Sequence, residues 1–186
     1  MRFSYLLHAT LLCAFALPIH FVYAGDAPGT TIKIGLSGPF TGGSNPMGES
    51  MRNGIRLAVE EINNIGGING KKIELIERDD EAKNDVGARI AQEFTQEKVA
   101  AAIGIVNTGV GLASIDAYQK AKIPLMVAVS SGTALTKKFA PPSAPENYIF
   151  RIAPTLDLEA KVLVADLKRS GLNSVAVLID STAYGD

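Results

Sequence analysis

The sequence has no tryptophan, a single cysteine and two histidines, and His8, Cys13 and His20 all fall in its opening segment. That segment has the layout of an export signal. Arg2 gives it a positive start, and Tyr5 to Val22 is apolar but for His8, Thr10 and His20. Val22-Tyr23-Ala24 then offers the residue pattern that a signal peptidase reads. Cleavage after Ala24 is expected, leaving a chain from Gly25 to Asp186 without His, Cys or Trp. Such a chain has no imidazole base, no thiol nucleophile and no Cys/His metal cluster. The expectation is an exported protein that holds something more than one that transforms it, with no enzyme activity, cofactor or metal. Disulfides cannot support it even in an oxidising compartment, so packing must.

A membrane anchor is the alternative for residues 1–24. Pro18, Ala24 and the polar Gly25-Asp26-Ala27-Pro28 that follows favour cleavage. Leu11 and Leu12 precede Cys13 where a lipoprotein signal would carry small residues. Charges interrupt every later apolar run, so no other stretch has the length and character of a membrane span. Of the 18 basic residues only Arg2 lies before Gly25, and the remaining 17 face 19 acidic ones. This near-neutral balance gives no footprint for nucleic acid or for a lipid surface. The 162 residues after Ala24 suffice for one domain with a real core.

From Thr30 onward short β-branched runs alternate with helical patterns, the mark of βαβ units and a doubly wound parallel sheet in an α/β fold. Strands are expected at Thr31–Ser37, Lys72–Glu77, Val99–Ile105, Ile123–Val129, Tyr148–Ile152 and Ser174–Ile179. Helices are expected at about 47–64, 84–96, 110–120 and 156–169, from apolar residues at helical spacing such as Ile55, Ala58, Val59 and Ile62. Asn84 or Asp85 is the expected cap of the second helix. Gly66-Gly67 ends the first helix, and Asn69-Gly70 is a turn. Ala153-Pro154-Thr155 is the expected boundary between two units. Because Asp186 follows so soon after the last expected strand, the sequence reads as the front part of a longer protein.

Ligands of an open parallel sheet sit beyond the carboxyl ends of its strands, near helix amino termini. Four loops there are rich in Gly, Ser, Thr and Asn: Thr41–Gly48, Val106–Gly111, Ser130–Thr133 and Asp180–Gly185. Their hydroxyls and free N–H groups suit a carboxylate or another small anion. The same residues are also common caps and turn formers, so convergence on one sheet edge carries the functional reading. Gly109-x-Gly111 is a poor dinucleotide signal, since Ser114 replaces the third glycine and no acid ends the next strand. Asp79-Asp80-Glu81 has no metal-ligand partner at useful spacing and reads as a solvated turn that also caps the next helix. Glu60-Glu61 reads as a polar helix face.

The motifs Ile34–Pro39, Ala58–Asn63, Gly66–Gly70, Asp79-Asp80, Ile103-Gly104, Ile123–Met126, Ala134–Thr136, Phe150-Arg151 and Tyr184-Gly185 resemble, in order and spacing, the branched-chain amino-acid binding proteins of bacterial ABC importers. The resemblance implies a type I periplasmic-binding-protein fold, with two α/β lobes closing over a ligand. Residues 25–153 would form most of the first lobe and 154–186 the start of the second. It further implies a periplasmic protein that delivers an amino acid, or a related small acid or amide, to a membrane permease. Carried over by position, Thr108 supplies the hydroxyl for the ligand carboxylate. Ser130, Ser131 and Thr133 follow the fourth strand, with Asn107 beside Thr108, and Tyr184 stands at the mouth of the second lobe. Met47 departs from the Tyr of leucine-binding members, and the loop before it is longer. The Ser130–Thr133 stretch is shorter by one residue, leaving Thr133 and Gly132 as alternatives. A ligand-sensing domain of a receptor or regulator with the same fold is the alternative function. A nicotinamide-dependent enzyme is a third, disfavoured by the missing glycine and acid.

Overall fold

Each parallel connection must cross the sheet, so helices cover both faces and the strands are buried from both sides. The computed structural model, which describes residues 31–185, has this arrangement. The expected signal segment and its cleavage point lie outside the described residues. In chain order the elements are β1 (Ile32–Gly38), α1 (Asn45–Asn64), β2 (Ile73–Asp79), α2 (Asn84–Gln96), β3 (Ala101–Gly104), α3 (Thr108–Ala121), β4 (Leu125–Val127), α4 (Ala134–Lys137), β5 (Ile149–Arg151) and α5 (Leu156–Arg169). The five strands form one parallel sheet in the order β2-β1-β3-β4-β5.

Two apolar cores follow from the pleat. On one face Ile90 and Phe94 of α2 and Val110, Ile115 and Tyr118 of α3 pack over Ala102, Leu125, Val127 and Ile149. On the other, Leu36, Phe40, Met51 and Val106 gather with Ile55, Leu75 and Ile103 beneath α1. Chain order reverses between β1 and β3, so the connections leaving those strands go to opposite faces. A crevice opens at their carboxyl ends, where such folds bind ligands.

Backbone approach at this point is unusually close. Gly104 has φ +147°, and a Cβ there would lie 1.9 Å from the Ser37 carbonyl oxygen. Ile105 follows with φ 65°, rare for a β-branched residue. Its carbonyl accepts from the N–H of Ser130 at 3.1 Å, fixing the exit of β4 against the exit of β3.

Several expectations need correction. Ser174–Ile179 is not a strand: it pairs with no described strand, and Val175, Val177, Leu178 and Ile179 are exposed. A parallel strand exists only through its neighbours' hydrogen bonds, and none of the five observed strands lies beside this run. Neither Asn84 nor Asp85 caps α2. Lys83 holds that position without a side-chain bond, while Asp85 lies in the first turn, where its charge complements the helix dipole. Asp80 is not solvated. It is 1% exposed, accepting from the Ser37 hydroxyl at 3.1 Å and from the N–H of Ala82 at 3.0 Å. The short helix α4, anchored by buried Leu135, had no signal strong enough to separate it from the loop before it.

Candidate functional site

The crevice at the β1/β3 switch point is a cleft of 1030 Å³. Four of the walls are continuations of strands. Ser44 and Met47 come from beyond β1, Ala82 to Asp85 from beyond β2, Val106 to Gly109 from beyond β3, and Val129 to Ser131 from beyond β4. The segment Asp180 to Tyr184 closes the remaining side.

At its floor are two buried hydroxyls. Thr108 is 4% and Ser130 3% exposed, with their oxygens 2.9 Å apart. Thr108 opens α3, whose N-cap Asn107 makes no capping side-chain bond, so the helix start offers its backbone N–H groups toward the cleft. The Asn107 amide nitrogen instead donates to the Ser44 hydroxyl at 3.1 Å. Its Oδ1 is buried without a donor among the described residues, an acceptor that a bound donor would satisfy. Gly132 allows the β4 loop to meet Thr108, since a Cβ there would lie 2.4 Å from the Thr108 methyl.

Arg151 at the end of β5 holds this loop from behind. Its guanidinium donates to the carbonyl of Gly132, to that of Ser130 at 3.5 Å and to the Thr136 hydroxyl at 3.1 Å. Charge-assisted bonds of this kind are stronger than neutral ones. The sequence offered Arg151 only as part of a motif, because nothing local shows which carbonyls its side chain meets.

Six of the seven expected site residues therefore line one cleft: Met47, Asn107, Thr108, Ser130, Ser131 and Tyr184. Met47 and Tyr184 are half-exposed and present a thioether and an aromatic ring there. Thr133 is not among the lining residues. Its hydroxyl donates to Asp157 at 3.0 Å; the Thr155 hydroxyl, and after it that of Thr133, lowers the Asp157 pKa to about 2. Gly109 also has a packing role: a Cβ there would strike the Asn84 side chain at 2.6 Å. No group of three or more His, Cys, Asp and Glu among the described residues could hold a metal ion.

Sequence reasoning missed Asp79. Burial opposes its charge, but the Thr41 hydroxyl and the N–H groups of Glu81, Phe40 and Thr41 outweigh this and hold the carboxyl below its usual range. Next to it, burial pushes Asp80 the other way, above the ordinary carboxylate range.

A profile of the family described as periplasmic binding protein matches residues 31–186. Leu/Ile/Val-binding protein homolog 3 of Brucella melitensis is 32% identical over 174 residues, covering 92% of this chain and 45% of the relative. A solute binding protein of an ABC transporter from Rhodopseudomonas palustris, solved with 3,4-dihydroxy benzoic acid, is similar with a TM-score of 0.73 and 31% identity. That similarity covers 84% of this chain and 41% of the other. The branched-chain amino acid transporter substrate binding protein of Streptococcus pneumoniae, solved with isoleucine, has a TM-score of 0.61 and 32% identity, covering 67% of this chain and 34% of its own. The chain thus spans less than half the length of these relatives. It belongs to the periplasmic binding protein family, and its fold is a type I lobe of that family.

Proposed function

We propose that this chain is the ligand-gripping part of an exported solute-binding protein that delivers a small carboxylate, such as a branched-chain amino acid or a related acid or amide, to an ABC permease. The observation that carries the reading is the pair of buried hydroxyls, Thr108 and Ser130, beside the uncapped start of α3. Oriented hydroxyls and helix N–H groups suit a carboxylate without any bond being made or broken. Ser131 adds a third hydroxyl, while Asn107, Met47 and Tyr184 contact the remainder of the solute.

Export would follow cleavage after Ala24, and the protein would work in the periplasm. Residues 25–153 would make up most of one lobe and 154–186 the beginning of a second. Binding would close the lobes by shifting a population from open to closed, with no catalytic step. Relatives solved with isoleucine and with 3,4-dihydroxy benzoic acid support the solute class without choosing within it.

The test is isothermal titration of the two-lobed protein with L-leucine, L-isoleucine and dihydroxybenzoate. Saturable binding that weakens in Thr108→Ala is expected. Saturable binding unaffected by Thr108→Ala would move the site elsewhere.

A further inference from the structure

Asp79 touches no part of the cleft, yet its carboxylate is bonded to two of the segments that wall it. Oδ1 accepts from the N–H of Phe40 at 2.9 Å and from the N–H of Glu81 at 2.9 Å. Oδ2 accepts from the Thr41 hydroxyl at 2.6 Å. The first and third bonds hold the exit of β1, which runs on to Ser44 and Met47 in the cleft. The second holds the exit of β2, which runs on to Ala82, Lys83, Asn84 and Asp85.

Besides Asp79, two backbone bonds restrain the first of these segments: the N–H of Asp80 donates to the Gly38 carbonyl at 3.0 Å, and that of Asn45 to the Gly42 carbonyl at 3.2 Å. Thr41, Gly42 and Gly43 are exposed, and a Cβ at either glycine would meet nothing within 4 Å. Beyond them, the Ser44 hydroxyl receives the Asn107 amide, and Asn45 bonds back to the Phe40 carbonyl. The loop is therefore pinned at its base by Asp79, exposed at its apex where a single turn bond closes it, and pinned again at the cleft by Asn107. Phe40 is buried at that base and stacks 4.5 Å from the Arg52 guanidinium, so the pinned end is stiff. Freeing the base of a glycine-rich segment returns conformational freedom to the residues that cover a bound solute.

We propose that Asp79 is a positioning residue, a staple between the β1 and β2 exits that sets how long a solute stays in the cleft. The inference rests on the solute-binding reading for its ligand but not for its mechanics. Contact of Ser44 with the solute would be kept while the staple holds the loop, so losing it speeds dissociation more than it slows association.

The test uses the two-lobed protein with signal removed, in which residues 25–186 supply no cysteine. Gly43→Cys, labelled with a fluorophore, reports loop mobility by anisotropy, and stopped flow with L-isoleucine or dihydroxybenzoate reports rates. Asp79→Ala is expected to lower the anisotropy and to raise the dissociation rate about tenfold, the worth of one charged hydrogen bond. Thr41→Val, which spares the N–H bonds, should give a smaller change of the same sign. Asp79→Asn should restore most of both signals, because its Oδ1 still accepts the N–H groups and its amide can donate to the Thr41 oxygen. Unchanged anisotropy and dissociation in Asp79→Ala would overturn the proposal. So would a weakening that tracks a lower melting temperature while Thr41→Val is inert and Asp79→Asn gives no rescue. If neither solute binds the unmutated protein, the functional reading fails separately, and the anisotropy of Asp79→Ala alone upholds or overturns the staple.

Discussion

The hydroxyl oxygens of Thr108 and Ser130 sit 2.9 Å apart, both buried, although they belong to the ends of different strands. Ser130 is the first polar side chain after β4, and Thr108 the second after β3, following Asn107. The pair is oriented by α3 on one side and by the Ile105 carbonyl, which holds the Ser130 backbone, on the other. Whichever hydroxyl donates outward accepts from the other, so the two act as one donor unit toward an anion.

Thr108→Ala should therefore weaken solute binding by about tenfold to a hundredfold, the range for a hydrogen bond to a charged group. Ser130→Ala should do the same. The double mutant should lose less than the sum, because either single change already leaves the remaining hydroxyl without its partner. Calorimetric titration of the three variants measures this, and strict additivity would show that the hydroxyls act independently.

Gly132→Ala should mimic a Thr108 mutation without touching Thr108. The added methyl would meet the Thr108 Cγ2 at 2.4 Å, and crowding of this order costs about 1–3 kcal/mol. Lower affinity with a modest fall in melting temperature is expected. A crystal structure of the variant with Thr108 unmoved would refute the argument.

Gly104→Ala should be far more damaging. Its Cβ would lie 1.9 Å from a backbone oxygen of β1, and φ +147° is itself unfavourable for alanine. Strain and overpacking together imply a loss of about 3 kcal/mol or more. Chemical denaturation should show a large drop in midpoint, and a midpoint within error of the unmutated chain would contradict the close approach.

Asp80 predicts a pH dependence of definite sign. Its folded carboxyl titrates above the ordinary range because burial, together with the Asp79 charge, disfavours ionisation. The folded state thus holds this proton more tightly than the unfolded state does. Its contribution is full below the unfolded value of about 3.9 and is lost as pH rises through the folded value. Asp80→Asn, which keeps the shape and carries no charge, should flatten that part of the stability profile. Denaturation midpoints of both proteins across the acid-to-neutral range test it, and parallel profiles would refute it.

The exposed run Val175, Val177, Leu178 and Ile179 should bind a hydrophobic dye in the chain studied by itself. Leu178 is 99% exposed, so Leu178→Lys should reduce dye binding and self-association with little effect on melting. Equal dye fluorescence before and after that substitution would place the dye elsewhere.

Some of this was legible before any coordinates. Leu156–Arg169 is a helix within the expected bounds because acidic residues open it and basic ones close it, a purely local signal. The expected second helix matches α2 and the third falls within α3, where apolar spacing rather than terminal charge was the signal. Ser174–Ile179 has just as clear a β-branched pattern, yet pairing is not local and the run stays unpaired. Asp79-Asp80 looked like a solvated turn because sequence shows charge but not the packing around it. Thr133 lies close in sequence to Ser130 and Ser131 but begins α4 and turns to Asp157, outside the cleft lining.

By itself the sequence determined the alternation of strand and helix, and the placement of hydroxyl-rich loops after the strands. Those features depend on side-chain periodicity and on backbone preferences within a few residues. Tertiary structure alone decided which loops meet: the order β2-β1-β3-β4-β5 puts the exits of β1 and β3 together. It also decided that Gly104 and Gly132 permit that meeting, that Arg151 braces it, and that Asp79 ties two of its walls. Such contacts join residues far apart in the chain, and only the register of a folded sheet fixes the distances between them.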